Sequence, residues 1–279
     1  MKPHADRTAL TWLLTGVLIV GALTWLRLST GIATAFTSFD GTRIVYTVDG
    51  NGPTVVLLHA FMLNSHTNWQ ETGVAAALVD AGYRVVAVDA RGHGNSQAPA
   101  SRRRYADRAM ARDVSALFDA LDIERATLIG YSMGGGVAVQ VATIDARVRG
   151  LVLGGISLGE TEPWDASARA AEVAALRAAN PPGNAFYRRL ADELGGDRLA
   201  YAARLEGDEF PQFTVAEAGA LRVPACFVNG REDADPAGLA AFIKRQKVLR
   251  VPGDHATAIW SPAFAPRVAQ CVAFVAHES

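Results

Sequence analysis

Cysteine is scarce in this sequence, which contains only Cys226 and Cys271 among its 279 residues. Zinc and iron–sulfur sites require several ligands at short spacings, and two cysteines this far apart do not provide them. They are also too few for the disulfide framework that supports small secreted domains. We therefore expect two buried free thiols rather than a bridge, and the sequence indicates neither a metal nor an organic cofactor.

An excess of charge of either sign is also missing. The 27 Lys and Arg residues nearly balance the 28 Asp and Glu residues, and the formal net charge is −1 at pH 7. Because no basic field covers the chain, nucleic acid is not expected as a partner. The one basic cluster is interpreted as a solvated loop and helix face; its members are Arg102, Arg103, Arg104, Arg108 and Arg112.

Residues 1–35 differ from the rest of the chain because they contain a long apolar run. Lys2 and Arg7 come first, and residues 8–26 are then uncharged and mostly apolar. As a helix this run is about 28 Å long, which matches the hydrocarbon thickness of a bilayer. Trp12 and Trp25 lie near its two ends, where indole rings favour the membrane interface. The pattern predicts a membrane anchor that is separate from the globular domain.

Two other interpretations of this segment stay open. Ala33-Thr34-Ala35 fits the small-residue pattern of a signal-peptide cleavage site, so a cleaved secretory signal is one alternative. The apolar run is longer than a usual signal core, which favours the anchor. A cytosolic protein with a buried N-terminal helix is the other alternative. Positive charge ahead of the run places the following domain outside the cytoplasm, either anchored in the membrane or, after cleavage, secreted or periplasmic.

Strand and helix patterns alternate through residues 36–279. Continuous apolar runs such as residues 54–59 are typical of strands buried on both faces of a parallel sheet. The predicted strands are 36–40, 42–48, 54–59, 84–89, 126–129, 150–156, 225–229 and 247–251. The predicted helices are 69–81, 105–121, one from residue 135 onward, 166–179, 185–194, 236–246 and 262–276. The alternation predicts an α/β domain with a mostly parallel central sheet, helices on both faces and a hairpin at Asp40-Gly41.

The alternation is interrupted between residues 157 and about 221. This stretch is rich in alanine and charged residues and has no strand pattern. An insertion at the carboxyl edge of a parallel sheet lies where ligands bind. We expect it to form a helical cap over the site, and a subdomain without a covering role is the alternative.

The most informative motif is Gly130-Tyr131-Ser132-Met133-Gly134, which joins a strand pattern to a helix pattern. A strand that turns into a helix around Gly-x-Ser-x-Gly exposes the serine hydroxyl on a sharp, strained turn. Glycine is needed at both ends because a side chain would collide where strand and helix pass closely. We therefore predict that Ser132 is a nucleophile at a helix N-terminus, which favours negative charge.

An acid and a base follow the last two predicted strands. Asp233 comes after residues 225–229, and His255 comes after residues 247–251. Because the carboxyl ends of parallel strands share one edge of the sheet, we expect both side chains near Ser132. A serine hydroxyl needs a base to remove its proton, and the base needs an acid to fix its tautomer. Ser132, His255 and Asp233 are thus the predicted nucleophile, base and acid.

These motifs together resemble the α/β-hydrolase superfamily, in particular its esterase-like members with a short helical cap. The nucleophile, acid and base follow one another in the order that the family uses. The resemblance implies an oxyanion hole formed by the backbone N–H groups of Phe61 and Met133. The matching segments are Leu57-Leu58-His59-Ala60-Phe61, Asp89-Ala90-Arg91-Gly92-His93-Gly94, the motif at residues 130–134, Gly230-Arg231-Glu232-Asp233 and Gly253-Asp254-His255.

One residue departs from the family pattern. Ala60 stands where the family usually has glycine, and alanine resists a positive φ, so we expect the oxyanion loop to differ slightly. This departure affects the loop of Phe61 and not the turn that contains Met133.

Other residues of the same chemical types lie near the same sheet edge. Asp235 or Glu232 is an alternative acid, and His59, His66 or His93 is an alternative base. His59 and His93 match positions of the family that brace loops, which favours His255 as the base. We interpret three further residues as core or loop-ordering groups: Trp69, Asp89 and Asp113.

The resulting hypothesis is a serine hydrolase that cleaves an ester of a small or medium acyl group through an acyl-enzyme. Serine at the nucleophile position argues against epoxide hydrolase or dehalogenase chemistry, for which this fold uses a carboxylate. Lactonase, lipase, aminopeptidase, carbon–carbon hydrolase and perhydrolase activities stay open, because fold and triad are common to them. A non-catalytic, membrane-tethered binding protein on the same fold is the remaining alternative.

Overall fold

The structure is a computed structural model that describes residues 33–161, 165–181, 185–207 and 212–278. A compact unit starts at Ala33. The predicted anchor helix at residues 8–26 lies outside the described residues. Within the described ranges, no helix is both long enough and apolar enough to cross a membrane.

Eight strands form one sheet, as the alternation of apolar runs predicts. The strands are β1 (Thr34–Thr37), β2 (Arg43–Asp49), β3 (Thr54–Leu58), β4 (Arg84–Asp89), β5 (Ala126–Tyr131), β6 (Val148–Gly154), β7 (Ala225–Gly230) and β8 (Gln246–Val251). Their order is β1-β2-β4-β3-β5-β6-β7-β8. β2 pairs antiparallel with β1 and β4, and the remaining pairs are parallel. The predicted mostly parallel sheet is therefore confirmed.

Helices cover both faces of this sheet, which is also confirmed. They are α1 (Val74–Asp80), α2 (Ala109–Ala120), α3 (Met133–Ile144), α4 (Ala166–Arg177), α5 (Phe186–Leu194), α6 (Arg198–Gly207), α7 (Val215–Ala220), α8 (Ala237–Ala240) and α9 (Phe264–Glu278). Buried side chains of α1 and α9 form one apolar layer with the sheet. Those of α2 and α3 form the layer on the opposite face.

Several element boundaries differ from the sequence prediction, and left-handed residues explain two of them. Gly73 has φ 75° and separates α1 from a π-helical turn at His66–Gln70. Asp107 and Arg108 have φ 54° and 53°, which delays the start of α2 to residue 109. At the N-terminal side, β1 starts at Thr34, inside the segment 1–35 that the sequence assigns to the anchor or signal.

The region between β6 and β7 is helical, but it contains more helices than its sequence pattern predicts. α6 and α7 were not predicted. Three of the buried residues of α6 are alanines and one is Arg204, so its buried face contrasts little in hydrophobicity with the rest of the helix. α7 carries a readable signal, a capping box in which Thr214 accepts from the Glu217 N–H and Glu217 accepts from the Thr214 N–H.

A buried ion-pair network ties the first hairpin and the loop after β4 to α2. The fully buried Arg91 guanidinium donates to Asp113 at 2.5 and 2.6 Å and to Asp40 at 2.9 Å. Ser38 Oγ also donates to Asp113. Burial alone would raise the pKa of Asp40, but hydrogen bonds from Arg91 and Thr42 lower it to about 2. The interpretation of Asp113 as a loop-ordering residue is confirmed.

The two cysteines are joined, and the prediction of free thiols is wrong. Cys226 in β7 and Cys271 in α9 form a disulfide with their Cα atoms 5.3 Å apart. Both are fully buried in the apolar layer where α9 packs on the sheet. The two cysteines are far apart in the sequence, which suggested that they do not pair. However, α9 packs on the sheet face toward which the Cys226 side chain points.

Replacing both cysteines by alanine is expected to lower the free energy of unfolding by about 4 kcal/mol, because the bridge closes a 45-residue separation and restricts the unfolded chain. Urea unfolding of the oxidised protein measures the change. Wild-type protein unfolded with a reductant should approach the stability of the double variant. Equal stability of the oxidised wild type and the variant would contradict a disulfide.

Candidate active site

The turn at Ser132 has the geometry that the glycine spacing predicts. Ser132 has φ 52°, a left-handed conformation that is unfavourable for residues with a side chain. A Cβ atom at Gly130 would collide with the Gly134 carbonyl, and one at Gly134 would collide with the Leu58 carbonyl. The N–H of Ser132 donates to the Gly154 carbonyl at 2.8 Å, which ties the turn to the end of β6.

The three residues predicted as nucleophile, base and acid lie together at the carboxyl edge of the sheet. His255 Nε2 is 3.0 Å from Ser132 Oγ, and Nδ1 is 3.2 Å from Asp233 Oδ2. A carboxylate accepts and does not donate, so Nδ1 carries the proton and Nε2 accepts from the serine hydroxyl. The Asp233 side chain is 7% exposed, whereas that of His255 is 49% exposed. The imidazole therefore faces the solvent side of the site.

The alternative acids are engaged with other groups. Asp235 is 72% exposed and pairs with Arg250 at 3.2 Å. Glu232 accepts from the Gly253 N–H at 2.8 Å, which ties the loop after β7 to the loop after β8. These contacts order the two loops around Asp233.

The surroundings of the alternative bases also show what each of these histidines contacts. The N–H of Ala90 donates to His59 Nε2 at 3.0 Å, so Nδ1 carries the proton and donates to the Ala60 carbonyl at 2.8 Å. Burial lowers the pKa of His59. His93 is likewise buried with a lowered pKa, and its ring centroid is 5.0 Å from that of His59. His66 is exposed on the surface. His59 and His93 therefore brace loops, as interpreted from the sequence.

The loop after β3 holds the predicted donor Phe61 through the peptide groups of Ala60. Asn68 Oδ1 accepts from the Ala60 N–H at 2.8 Å, and His59 donates to the Ala60 carbonyl. That carbonyl shares a planar peptide unit with the Phe61 N–H, so fixing one fixes the direction of the other. The positive φ in this loop, 65°, belongs to Met62 and not to Ala60. Alanine at position 60 is thus accommodated without the strain expected from the sequence.

The second predicted donor, Met133, is the first residue of α3. N–H groups in the first turn of a helix have no carbonyl partner within the helix. Gly134 beside it packs against the main chain of Leu58 and His59, so the N-terminus of α3 lies against the start of the Phe61 loop. The role of Phe61 and Met133 as oxyanion donors stays a prediction.

Helices α5 and α6 lie over the loop that contains Phe61. The ring of Phe61 is 5.4 Å from that of Tyr187 and 5.3 Å from that of Tyr201. The guanidinium of Arg204 lies 4.8 Å from the centre of the Phe61 ring. These three rings, here named the aromatic wall, belong to an apolar cluster that the loop after β3 shares with the inserted helices.

Sequence reasoning missed two residues that order the site. Tyr131 Oη donates to the main-chain carbonyl of His255 at 2.8 Å, although the motif treats its position as variable. Asn229 Nδ2 donates to the carbonyls of Ile156 and Ala234, beside Asp233, at 3.0 and 3.1 Å. A polar amide at the end of the otherwise apolar strand β7 was the available signal for Asn229.

Comparison with known proteins agrees with this architecture. A family model described as alpha/beta hydrolase fold matches residues 53–180. An uncharacterized protein of Mycobacterium tuberculosis is 41% identical over 107 residues, which cover 38% of this chain and 30% of that protein. Epoxide hydrolase A of the same organism is 29% identical over 232 residues, covering 76% of this chain and 65% of the relative. The chain thus spans less than two thirds of the length of these curated relatives.

Solved structures share the whole sheet architecture. The enol-lactonase from Burkholderia xenovorans LB400 has a TM-score of 0.70 and 24% identity, and the match covers 87% of this chain and 100% of that chain. The family match includes the strand, turn and helix around Ser132. Residues 53–180 thus match the alpha/beta hydrolase family, and the chain has the α/β-hydrolase fold.

Proposed function

We propose that this protein is a serine hydrolase that cleaves carboxylic esters by acyl transfer. The observation that carries the proposal is the position of His255 between Ser132 and Asp233, with Nε2 3.0 Å from Ser132 Oγ. At that distance the imidazole takes the hydroxyl proton while the oxygen attacks. Asp233 keeps the other proton on Nδ1 and stabilises the imidazolium that forms.

In the first half of the reaction, Ser132 Oγ forms a bond to the ester carbonyl carbon and its proton passes to His255 Nε2. The carbonyl oxygen becomes an oxyanion, which the N–H groups of Met133 and Phe61 stabilise. When the tetrahedral intermediate collapses, the bond to the alcohol oxygen breaks and His255 gives its proton to that oxygen. The alcohol leaves, and the acyl group stays on Ser132.

In the second half, water attacks the acyl carbonyl while His255 Nε2 takes one of its protons. The same oxyanion donors stabilise the second tetrahedral intermediate. Its collapse breaks the bond to Ser132 Oγ, which receives the proton from His255. The carboxylic acid leaves, and the enzyme returns to its starting state.

The substrate class follows from the nucleophile and from the wall of the site. The aromatic rings of Phe61, Tyr187 and Tyr201 give an apolar boundary, which suits an acyl group of small or medium size. One relative is named an epoxide hydrolase, but this chain has Ser132 where the fold uses a carboxylate to open epoxides. The likeness to an enol-lactonase keeps cyclic esters within the proposed class.

The proposed location is outside the cytoplasm, at a membrane through the N-terminal segment or released after cleavage. Two observations support it. Lys2 and Arg7 precede the apolar run at residues 8–26, which orients such a segment with its N-terminus inside. The Cys226–Cys271 disulfide is typical of proteins that fold in an oxidising compartment.

Ser132→Ala and His255→Ala are each expected to lower kcat on a chromogenic acetate ester at least about 1,000-fold, because each removes a group that acylation requires. A fluorophosphonate probe, which reacts with activated serines, should label the wild type but not Ser132→Ala. His66→Ala is the matched control, because this histidine is 67% exposed and lies 3.4 Å from Glu71. Wild-type turnover by either variant, or equal labelling of Ser132→Ala, would contradict the mechanism and favour a non-catalytic binding protein.

A series of chromogenic esters with increasing acyl length, measured beside an amide and a lactone, tests the substrate class. Short and medium esters are expected to have the highest kcat/KM, because the aromatic wall limits the space for the acyl chain. The amide should be slower, since an amine is a poorer leaving group than an alcohol. A preference for the amide over every ester would show that the ester assignment is wrong while leaving the serine mechanism intact. A preference for the lactone would narrow the substrate class to cyclic esters.

The full-length chain is expected to stay in the membrane pellet after alkaline carbonate extraction, because the apolar run at residues 8–26 is long enough to span a bilayer. Immunoblotting of the pellet and supernatant measures the distribution. A chain shortened to begin at Ala33, where the compact unit starts, serves as the soluble control. Release of the full-length, uncleaved chain into the supernatant would exclude a spanning segment.

A further inference from the structure

The loop that carries His255 has little packing of its own. Residues 254–257 are all exposed. Asp254 Oδ1 accepts from the N–H groups of Ala256 and Thr257 at 3.0 and 2.9 Å. These bonds set the internal shape of the loop, but they do not determine its distance from Ser132. A separate contact is needed to hold the imidazole over the nucleophile.

Tyr131 provides such a contact from the strand that carries the nucleophile. Its hydroxyl donates to the main-chain carbonyl of His255 at 2.8 Å. Its ring centroid is 5.7 Å from that of His255 and 5.7 Å from that of Phe264. The residue is 2% exposed, so the ring is fixed by packing as well as by the hydrogen bond.

The end of β6 leaves space for this arrangement. A Cβ atom at Gly154 would lie 2.5 Å from Tyr131 Cδ2, and one at Gly155 would lie 3.0 Å from both Tyr131 Cζ and His255 Cε1. Gly155 also has φ 59°, a conformation that side chains disfavour. The absence of side chains at Gly154 and Gly155 therefore leaves room for the rings of Tyr131 and His255 to lie next to each other.

We propose that Tyr131 is a positioning residue for His255, an inference that rests on the proposed hydrolase function. Tyr131 is the last residue of β5 and Ser132 follows it directly. The hydroxyl that binds the His255 loop and the nucleophile therefore move together. The hydrogen bond to the His255 carbonyl therefore keeps Nε2 within reach of Ser132 Oγ even when the exposed loop fluctuates. Small displacements of a catalytic group are enough to slow a proton transfer strongly.

The hydroxyl is suited to this role because it stays protonated. Burial raises the pKa of Tyr131, and the nearby carboxylates of Asp233 and Asp254 raise it further. The group therefore acts as a donor over the whole pH range in which a histidine base works.

Tyr131→Phe removes the hydroxyl and keeps the ring, so the variant is expected to fold. We expect kcat on a chromogenic ester, counted per fluorophosphonate-reactive site, to fall about tenfold, a loss of about 1.4 kcal/mol in transition-state stabilisation. KM should stay unchanged, because the aromatic wall of the site is intact. Tyr105→Phe is the matched control: Tyr105 is also buried, and within the described ranges its hydroxyl has no hydrogen-bond partner. Its kcat should equal that of the wild type.

A proton NMR spectrum gives a readout that does not depend on turnover. The Nδ1 proton shared with Asp233 should give a downfield resonance in the wild type that broadens in Tyr131→Phe, because the imidazole is then less well held. A lower melting temperature with unchanged kcat and an unchanged resonance would assign Tyr131 a purely structural role and overturn the proposal. A change in KM alone would also overturn it.

A result that contradicts the proposed hydrolase function can be distinguished from one that contradicts the positioning role of Tyr131. A wild type that neither turns over esters nor reacts with the probe would contradict the hydrolase reaction. In that case the resonance still decides the positioning of the imidazole: broadening in Tyr131→Phe supports it, and an identical resonance in both proteins contradicts it.

Discussion

The left-handed backbone of Ser132 is the constraint on which the rest of the site depends. A non-glycine residue with φ 52° costs of order 1–3 kcal/mol and persists when its surroundings hold it in place. Here the N–H of Ser132 is bound by the Gly154 carbonyl, and its own carbonyl accepts from Gly135 and Gly136 at 2.8 and 3.1 Å. The turn in return holds the hydroxyl within 3.0 Å of His255 Nε2.

The two sides of the site are held in different ways. On the side of the predicted oxyanion donors, buried polar groups brace the loops: His59 links the loop after β3 to Ala90, and Asp89 accepts from Ser65 and Asn95. These contacts suit donors that must be aimed before charge develops, because a preorganised dipole needs no reorganisation during the reaction. On the other side, His255 lies on an exposed loop. Its position depends on hydrogen bonds from outside the loop.

The fold and the meeting of Ser132, His255 and Asp233 at one sheet edge could be predicted because their signals are local. A glycine spacing, an apolar run and a polar residue just after a strand can each be read without knowing the tertiary structure. The Cys226–Cys271 bridge could not be predicted in this way, because it depends on α9 packing against the sheet face where the Cys226 side chain lies. The same applies to Tyr131: its partner is a main-chain carbonyl 124 residues away, which no sequence pattern marks. Helix α6 was missed for another reason, since its buried face mixes small alanines with Arg204 and gives little hydrophobic contrast.

The disulfide and Tyr131 act on the same part of the chain. Asp233 and His255 both lie between Cys226 and Cys271, so the bridge closes the segment that supplies the proposed acid and base. Ser132 and the loop of Phe61 lie outside that segment, within the residues that the family model matches. The site is thus assembled from a nucleophile half and an acid–base half. The bridge fixes the ends of the acid–base half to one sheet face, and the Tyr131 hydroxyl fixes its middle to β5. Loss of either contact loosens the acid–base half while the strained turn at Ser132, held by its own glycines and by β6, keeps its shape.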